Sequence, residues 1–308
     1  MQNDTFDAVV VGGSWAGLSA AMQLVRARRR VLVVDAGRPR NRFAHTSHGF
    51  FGQDGRTPTA ILEAARAQVL AYPTASFREG EATGVVPPPE PDGDFEIALA
   101  SGSIARTRRL VIATGVVDEL PDIPGLRERW GKSVLHCPYC HGYEVAGGRL
   151  GVLAVGEKSM HQALLLPDWS ADVTLFTNDA FEPDDAQLAA LAARGVRVDR
   201  RRVAALVGDG LTLAGVRVTG ADGDEVLDLD ALFTASRTRM ASPLAEQLGC
   251  AFDDGPFGPV IRTDEKKQTS VPGVFAAGDA ARQMHNATFA SADGVMAGIS
   301  AHQSLALA

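Results

Sequence analysis

The opening of the chain leaves few folds available. Asp7–Val11 is an apolar run suited to a buried strand, Gly12-Gly13-Ser14-Trp15-Ala16-Gly17 is a glycine turn, and a helix is predicted beyond it to about Arg28. A second apolar run, Val31–Val34, then ends at Asp35, 18 residues after Gly17. Strand, glycine turn, helix, strand and acid in this order describe a dinucleotide-binding unit. Gly12 permits the tight turn, and Gly17 lets helix and strand pack closely. Ser14 replaces the middle glycine of the fingerprint and is still small enough for close backbone approach. The helix N-terminus then offers N–H groups to a pyrophosphate, and Asp35 stands at the spacing of an acid that bonds ribose hydroxyls. The candidate contacts here are Gly12, Gly13, Ser14, Ala16, Gly17, Asp35 and Ala36.

Asn41–Gly55 carries three glycines and two histidines, His45 and His48, without a helical period, and reads as a loop leaving the ribose-binding strand. Asn41 and His48 therefore join the candidate cofactor contacts. Thr57-Pro58 opens a helix. After the proline-rich turn Pro87–Pro91, Phe95–Ala100 and Ala105–Leu110 alternate as hairpin strands around Gly102. Leu110–Gly115 is a buried strand ending in small residues, which adds Ala113, Thr114 and Gly115 to the set. Pro121 and Pro124 mark a linker.

The nucleotide pattern then restarts in eroded form. Leu150–Val155 reads as a strand, Ser159–Trp169 as a helix and Val173–Phe176 as the next strand. Ala154 and Ser159 occupy the first and third glycine positions around Gly156. The following segment, Thr177–Asp185, holds Asp179, Glu182, Asp184 and Asp185 and no Lys or Arg. A 2′-phosphate there meets repulsion instead of the usual arginine. NADPH is disfavoured and NADH binding is at best weak. The alternative is a domain whose shape is kept for architecture alone. Leu206–Leu229 follows as short strands broken by glycines. Finally, Val274–Ala277 runs as a strand into Gly278-Asp279, with a helix over Ala290–Leu305 beyond. Such an end places an N–H and a carboxylate beside a bound cofactor. The fold class expected is α/β, with two Rossmann-like three-layer nucleotide-binding domains. The second, residues 117–242, is inserted into the first, residues 1–116 and 243–308.

The chemistry concentrates in His136-Cys137-Pro138-Tyr139-Cys140-His141-Gly142-Tyr143-Glu144. Two cysteines at this spacing can close a disulfide, and one thiol of such a pair commonly has a lowered pKa. Half of a zinc site is the competing reading. Zinc wants four ligands, and the only other cysteine, Cys250, has no paired neighbour, so the ligand count favours a redox dithiol. His136 and His141 are candidate bases, and Glu144 can hold either imidazole. Three cysteines in 308 residues do not make a secreted disulfide framework and point to the reducing cytosol. The acids and absent basic region of Met1–Asp7 argue against a signal peptide. No apolar run reaches the roughly 18–20 residues of a membrane span. A net charge of −7 argues against nucleic acid and anionic membranes as partners.

Four of these motifs, in this order, resemble the low-molecular-weight thioredoxin reductase family of flavoproteins. They are the first glycine turn with its acid, Ala113-Thr114-Gly115, the Cys-x-x-Cys, and Thr269-Ser270-Val271-Pro272-Gly273-Val274-Phe275-Ala276-Ala277-Gly278-Asp279. The resemblance implies FAD bound by the first domain, a homodimer, Cys140 next to the flavin and Cys137 exchanging disulfides with a partner. Three positions depart from the family pattern. The proton-donating Asp after the second cysteine is His141 here, the NADPH signature is eroded, and the family's Arg-Gln-Ala aligns with Asn286-Ala287-Thr288. Ala287 and Thr288 complete the expected cofactor contacts. The Cys-Pro-Tyr-Cys-His-Gly-Tyr-Glu form is more similar to the dithiol oxidase branch, whose members close disulfides in small dithiols and pass electrons through FAD to oxygen.

The resemblance thus implies an NADPH-independent dithiol–disulfide oxidoreductase with Cys137, Cys140 and His141 as its catalytic residues and His136 as the competing base. Its partner would be a small-molecule dithiol or a thioredoxin-like protein. A second expectation is a thioredoxin reductase fed by NAD(P)H, ferredoxin or flavodoxin. A third is a non-catalytic flavin-bound sensor, against which the intact dithiol argues.

Overall fold

Short β-branched runs bounded by glycine turns become parallel strands in the computed structural model, which describes residues 5–90, 93–221 and 223–307. Met1–Asp4 of the acidic N-terminus and Pro91 of the proline-rich turn lie outside the described residues. The chain divides into two units. The first comprises the chain up to Arg42, Pro58–Val117 and Thr238 onward; the second comprises Phe43–Thr57 and Asp118–Arg237.

In the first unit β1 (Thr5–Val11), α1 (Trp15–Arg26), β2 (Val31–Asp35), α2 (Pro58–Leu70), β3 (Ala75–Glu79), β4 (Ala82–Val86), β5 (Phe95–Leu99) and β6 (Ile104–Ile112) follow in order. They build one sheet of order β3-β2-β1-β6-β5-β4, to which Val274–Ala276 adds a strand beside β6. The sheet is parallel across β3-β2-β1-β6 and the returning strand, with Val11 opposite Val34 and Ile112 and with Ala276 opposite Ile112. Parallel strands buried on both faces need continuous apolar runs. Val9, Val10, Leu32, Val33, Leu110 and Val111 meet that need with 0–1% exposure. One face packs under α1 and the C-terminal helix Ala287–Ala306. The two helices touch along small residues: a Cβ on Gly298 would stand 2.9 Å from Ala20 Cα.

The expected hairpin strand Ala105–Leu110 and the buried strand after it are one element. β6 pairs antiparallel with β5 through Ala105 and then parallel with Val274–Ala276 through Leu110–Ile112. Its burial pattern accordingly changes midway, from alternating to continuous. β3 and β4 are additional strands whose partly exposed residues gave no strong pattern.

The second unit has a five-stranded parallel sheet of order Arg197–Asp199, Val173–Phe176, Leu150–Leu153, Ala231–Thr234, Val134–Leu135. A three-stranded antiparallel sheet, Arg202–Val207, Gly215–Gly220 and Gly223–Asp228, belongs to the same unit. The expected helix Ser159–Trp169 ends at Leu165 and tightens into a 3₁₀ turn, Leu166–Asp168. Pro167 has no N–H to extend the helix.

The observed borders differ from the expected ones. The chain leaves the first unit after Val117 and returns at Thr238, because Met240 already belongs to the first unit's core. Phe43–Thr57, expected in the first domain, belongs to the second unit. The loop closes on itself through Ser47 N–H to Arg56 O at 2.8 Å and Gly55 N–H to Ser47 O at 2.9 Å. Its His48 then lies beside Glu144.

Candidate active site

The glycine turn of the first unit is a cradle that side chains cannot enter. Gly12 has φ of +107°, and a Cβ there would run into the Ala113 carbonyl. Its N–H donates to Val34 O at 2.8 Å, which ties the turn to β2. A Cβ on Gly17 would run into the Gly12 carbonyl. A Cβ on Gly13 would stand 2.8 Å from Asp35 Cβ and 3.1 Å from its Oδ2, so the acid lies against the turn. Ser14 caps α1 in extended conformation and its side chain makes no capping bond, which leaves the helix start open to an anion.

Two of the remaining first-unit candidates, Ala113 and Gly278, stand against this turn. Ala113 N–H donates to Val11 O at 2.8 Å, with Thr114 and Gly115 following directly. A Cβ on Gly278 would stand 2.9 Å from Ala16 Cβ, and Ala16 itself is buried. Asp279 Oδ2 takes a bond from Arg40 Nη1 at 3.1 Å, both side chains being largely buried, and the same Arg40 nitrogen lies 2.5 Å from His285 Nδ1. Asn41, next to Arg40, carries a buried Oδ1 without a hydrogen-bond partner. Asn286 caps the C-terminal helix and accepts the Thr288 N–H at 2.8 Å. That amide is therefore committed to the cap, and Ala287 stands between the two. Arg40 was not predicted, since an isolated loop arginine carries no local signal for a carboxylate 239 positions away.

The dithiol lies in the second unit. Cys137 is the extended N-cap of the short helix Pro138–His141, and Pro138 at its first position fixes the entry. Cys140 N–H donates to Cys137 O at 3.1 Å and His141 N–H to the same oxygen at 3.2 Å. This single turn sets the two Cα atoms 5.2 Å apart, and the sulfurs are joined as a disulfide. Behind it, Gly142 lets Trp169 approach, since a Cβ there would be 3.0 Å from the indole. Tyr139 meets the Trp169 ring edge-on at 5.5 Å and, like Tyr143, stays mostly exposed.

The two imidazoles flanking the dithiol differ. Burial pushes the His141 pKa below its ordinary value; the Glu144 carboxylate opposes this, and the His48 charge adds to it. A lowered pKa keeps the ring neutral, the form that accepts a proton. His136 is instead fixed by its backbone and a neighbour: its carbonyl takes Gln162 Nε2 at 2.6 Å and its ring stands 6.4 Å from Trp130. His48, expected with the cofactor residues, lies in the second unit, with Nε2 3.4 Å from Glu144 Oε1.

The second glycine turn is occupied by its own side chains. Ser159 Oγ takes the Val155 N–H at 3.1 Å, and Glu157 accepts Gln187 Nε2 at 2.8 Å. Gln187 also completes a capping box with Asp184. Two nearby arginines are committed as well: Arg200 to Glu182 at 2.8 Å, and Arg201 to Asp199 and Glu225, each at 2.6 Å. Burial acts to raise the Asp199 pKa, and the Arg201 hydrogen bonds outweigh it and hold the carboxyl below its usual range.

Two nucleotide-binding folds and a Cys-x-x-Cys disulfide define a flavoprotein disulfide oxidoreductase. Residues 6–294 match the model of the pyridine nucleotide-disulphide oxidoreductase family, and the chain belongs to that family. It is 36% identical to thioredoxin reductase tcpT of Claviceps purpurea (strain 20.1) over 95% of this chain and 92% of that protein. The crystal structure of an oxidoreductase from Agrobacterium tumefaciens shares 48% identity at a TM-score of 0.91, covering 98% of this chain and 99% of that one. The crystal structure of HlmI shares 41% identity, also at 0.91, covering 99% and 94%. The protein is thus an FAD-dependent oxidoreductase of low-molecular-weight thioredoxin reductase type. The first unit fits FAD: it has a cradle closed to side chains, an uncapped helix start, Asp35 at the turn and an orphaned acceptor on Asn41. Among the described residues, no helix is long and apolar enough to cross a membrane.

Proposed function

We propose that the protein is an FAD-dependent dithiol oxidase that closes a disulfide in a small-molecule dithiol without using NADPH. The carrying observation is the second turn, where Ser159 Oγ takes the Val155 N–H and Glu157 binds Gln187, while the Cys137–Cys140 pair is intact. Arg200 and Arg201, close in sequence to the acidic segment, are already paired with Glu182, Asp199 and Glu225, which weakens them as partners for a 2′-phosphate.

The residues around the disulfide support the following sequence. Neutral His141 takes the proton of a substrate thiol, and the resulting thiolate attacks Cys137 Sγ, breaking its bond to Cys140, which leaves as a thiolate. The substrate's second thiol, once deprotonated, attacks the substrate sulfur of the mixed disulfide and releases Cys137. The net exchange converts substrate dithiol to disulfide and the enzyme disulfide to dithiol, with two electrons and two protons transferred. Gly12, Gly13, Ser14, Asp35, Asn41 and Asp279 would hold FAD, which when bound would supply the redox chemistry for passing the electron pair on to oxygen.

The similarity to a thioredoxin reductase of Claviceps purpurea supports a second reading, with a thioredoxin-like protein as partner; its electrons would arrive from NAD(P)H, ferredoxin or flavodoxin. In either reading we infer a homodimer, on the family resemblance, and the reducing cytosol, on the cysteine usage. Anaerobic stopped-flow absorbance of the flavin with NADPH, NADH and dithiothreitol in turn separates the readings. Fast bleaching by the dithiol and slow bleaching by both nucleotides is expected. Rapid, saturable bleaching by micromolar NADPH would overturn the oxidase reading.

A further inference from the structure

The loop Phe43–Thr57 has no fully buried side chain, and Phe51 at its tip is 98% exposed. Apolar packing therefore does not explain its shape. Its order comes from hydrogen bonds, and several of these converge on one imidazole. Ser47 and Arg56 pair across the loop neck, and Gly49 N–H donates to Asp54 Oδ1 at 2.8 Å. Asp54 is thereby presented to His48, with Oδ2 3.6 Å from Nδ1, while Thr46 Oγ1 lies 2.9 Å from Nε2. The ring mounted in this way directs Nε2 at Glu144 Oε1, 3.4 Å away. Glu144 lies three positions after His141, just beyond the dithiol helix.

We propose that His48 is a positioning residue of the dithiol site: the loop holds it against Glu144, and the His48–Glu144 pair adjusts the proton affinity of the buried His141. The proposal rests on the reading of His141 as the dithiol's base. The charged and titratable groups involved are few. Glu144 and His48 act on His141, and Asp54 and Glu144 flank His48. Glu144 favours the imidazolium that forms when His141 accepts a substrate proton. A cationic His48 draws on the same carboxylate and adds a like charge, so it has the opposite effect on His141. The loop thereby balances two demands on the base: strong enough to take a thiol proton, and still neutral at working pH.

Opposing influences make a test by sign. With Glu144→Gln the carboxylate's support is lost, and the His141 titration midpoint should move to lower pH. With His48→Gln the opposing cation is gone and Glu144 serves His141 alone, so the midpoint should move to higher pH. Each shift should be about half a pH unit or more for a charge at this range. His48→Arg, which keeps a cation beside Glu144, should stay near the wild-type midpoint. The midpoint is read by NMR of ¹³C-labelled histidine rings in the oxidised holoprotein, the His141 signal being the one missing from His141→Gln. Retained flavin absorbance and circular dichroism show that each variant is folded. Shifts in the same direction, or none in either variant, overturn the proposal. Flavin bleaching by dithiothreitol across the same pH range keeps the two ideas apart. Failure of the wild type to bleach at any pH sinks the oxidase reading but leaves the ring titration as a test of the network. Wild-type bleaching with unmoved midpoints sinks only the role of His48.

Discussion

Replacing His141 by alanine tests the chemistry of the dithiol site most directly. Burial holds this ring below the ordinary imidazole value of about 6.5, so at pH 7 it is neutral and ready to accept a proton. A substrate thiol of ordinary pKa near 8.5 is only about 3% ionised at that pH. The wild type overcomes this by base catalysis, a contribution of about 10²–10⁴-fold. His141→Ala has only the ionised fraction to work with. Its rate of flavin bleaching should rise about tenfold per pH unit up to pH ~8.5, then level off. Between pH 7 and ~9.5 the ionised fraction grows about 30-fold. The defect should therefore be about 10²–10⁴-fold at pH 7 and shrink by about 30-fold at the alkaline end. The wild type should change little above neutrality and lose rate only in acid, on a limb below pH 6.5, where His141 becomes protonated. Anaerobic stopped-flow flavin absorbance with a saturating dithiol measures both profiles. A defect that stays constant across pH would show that His141 merely supports the local structure. If His136→Ala alone flattens the acid limb, the role passes to His136, although Gln162 and Trp130 engage that residue.

Three further outcomes follow from the same geometry. If Cys140 faces the flavin, as the family resemblance implies, Cys137→Ser should leave the Cys140 thiolate as the electron donor and produce a long-wavelength absorbance band that Cys140→Ser lacks; the reverse pattern would exchange the two roles. Cys250→Ser should leave turnover within about twofold, because burial raises this thiol's pKa and its sulfur lies beside Thr269 in the first unit, with no paired cysteine. Gly17→Ala forces a methyl into the Gly12 carbonyl, so the protein should lose about 1–3 kcal/mol of stability and retain less FAD, as thermal melts and released flavin would report. Full retention of FAD in that variant would remove the cradle argument.

The legible parts of this molecule are those whose chemistry is local. The turn Gly12–Gly17 and its acid could be read because the tight turn, the close helix–strand approach and the ribose contact each demand particular residue types within one βαβ unit. The same reasoning recognised the second turn as eroded, but not that Ser159 Oγ had taken up the Val155 N–H, which depends on a rotamer. β6 was read as two strands because its two halves have different partners, and a change from alternating to continuous burial resembles a break. The Arg40–Asp279 pair left no trace in the sequence, since its members are brought together only by the sheet.

The dithiol motif shows the same division within a single site. Cys137, Cys140, His141 and Glu144 are contiguous, so their chemistry could be read from spacing. Whether His141 is a stronger or weaker base than a free imidazole could not, because burial and two opposing charges decide the sign. One of those charges is His48, whose loop leaves the ribose-binding strand in sequence, a position that suggests a cofactor contact. Its loop belongs to the same unit as the dithiol. The reactive pair is written in one short segment, whereas the proton affinity of its neighbouring base depends on burial and, in the proposal above, on a loop from far earlier in the chain. Substitutions in Phe43–Thr57 should therefore retune the pH dependence of the dithiol without touching either sulfur.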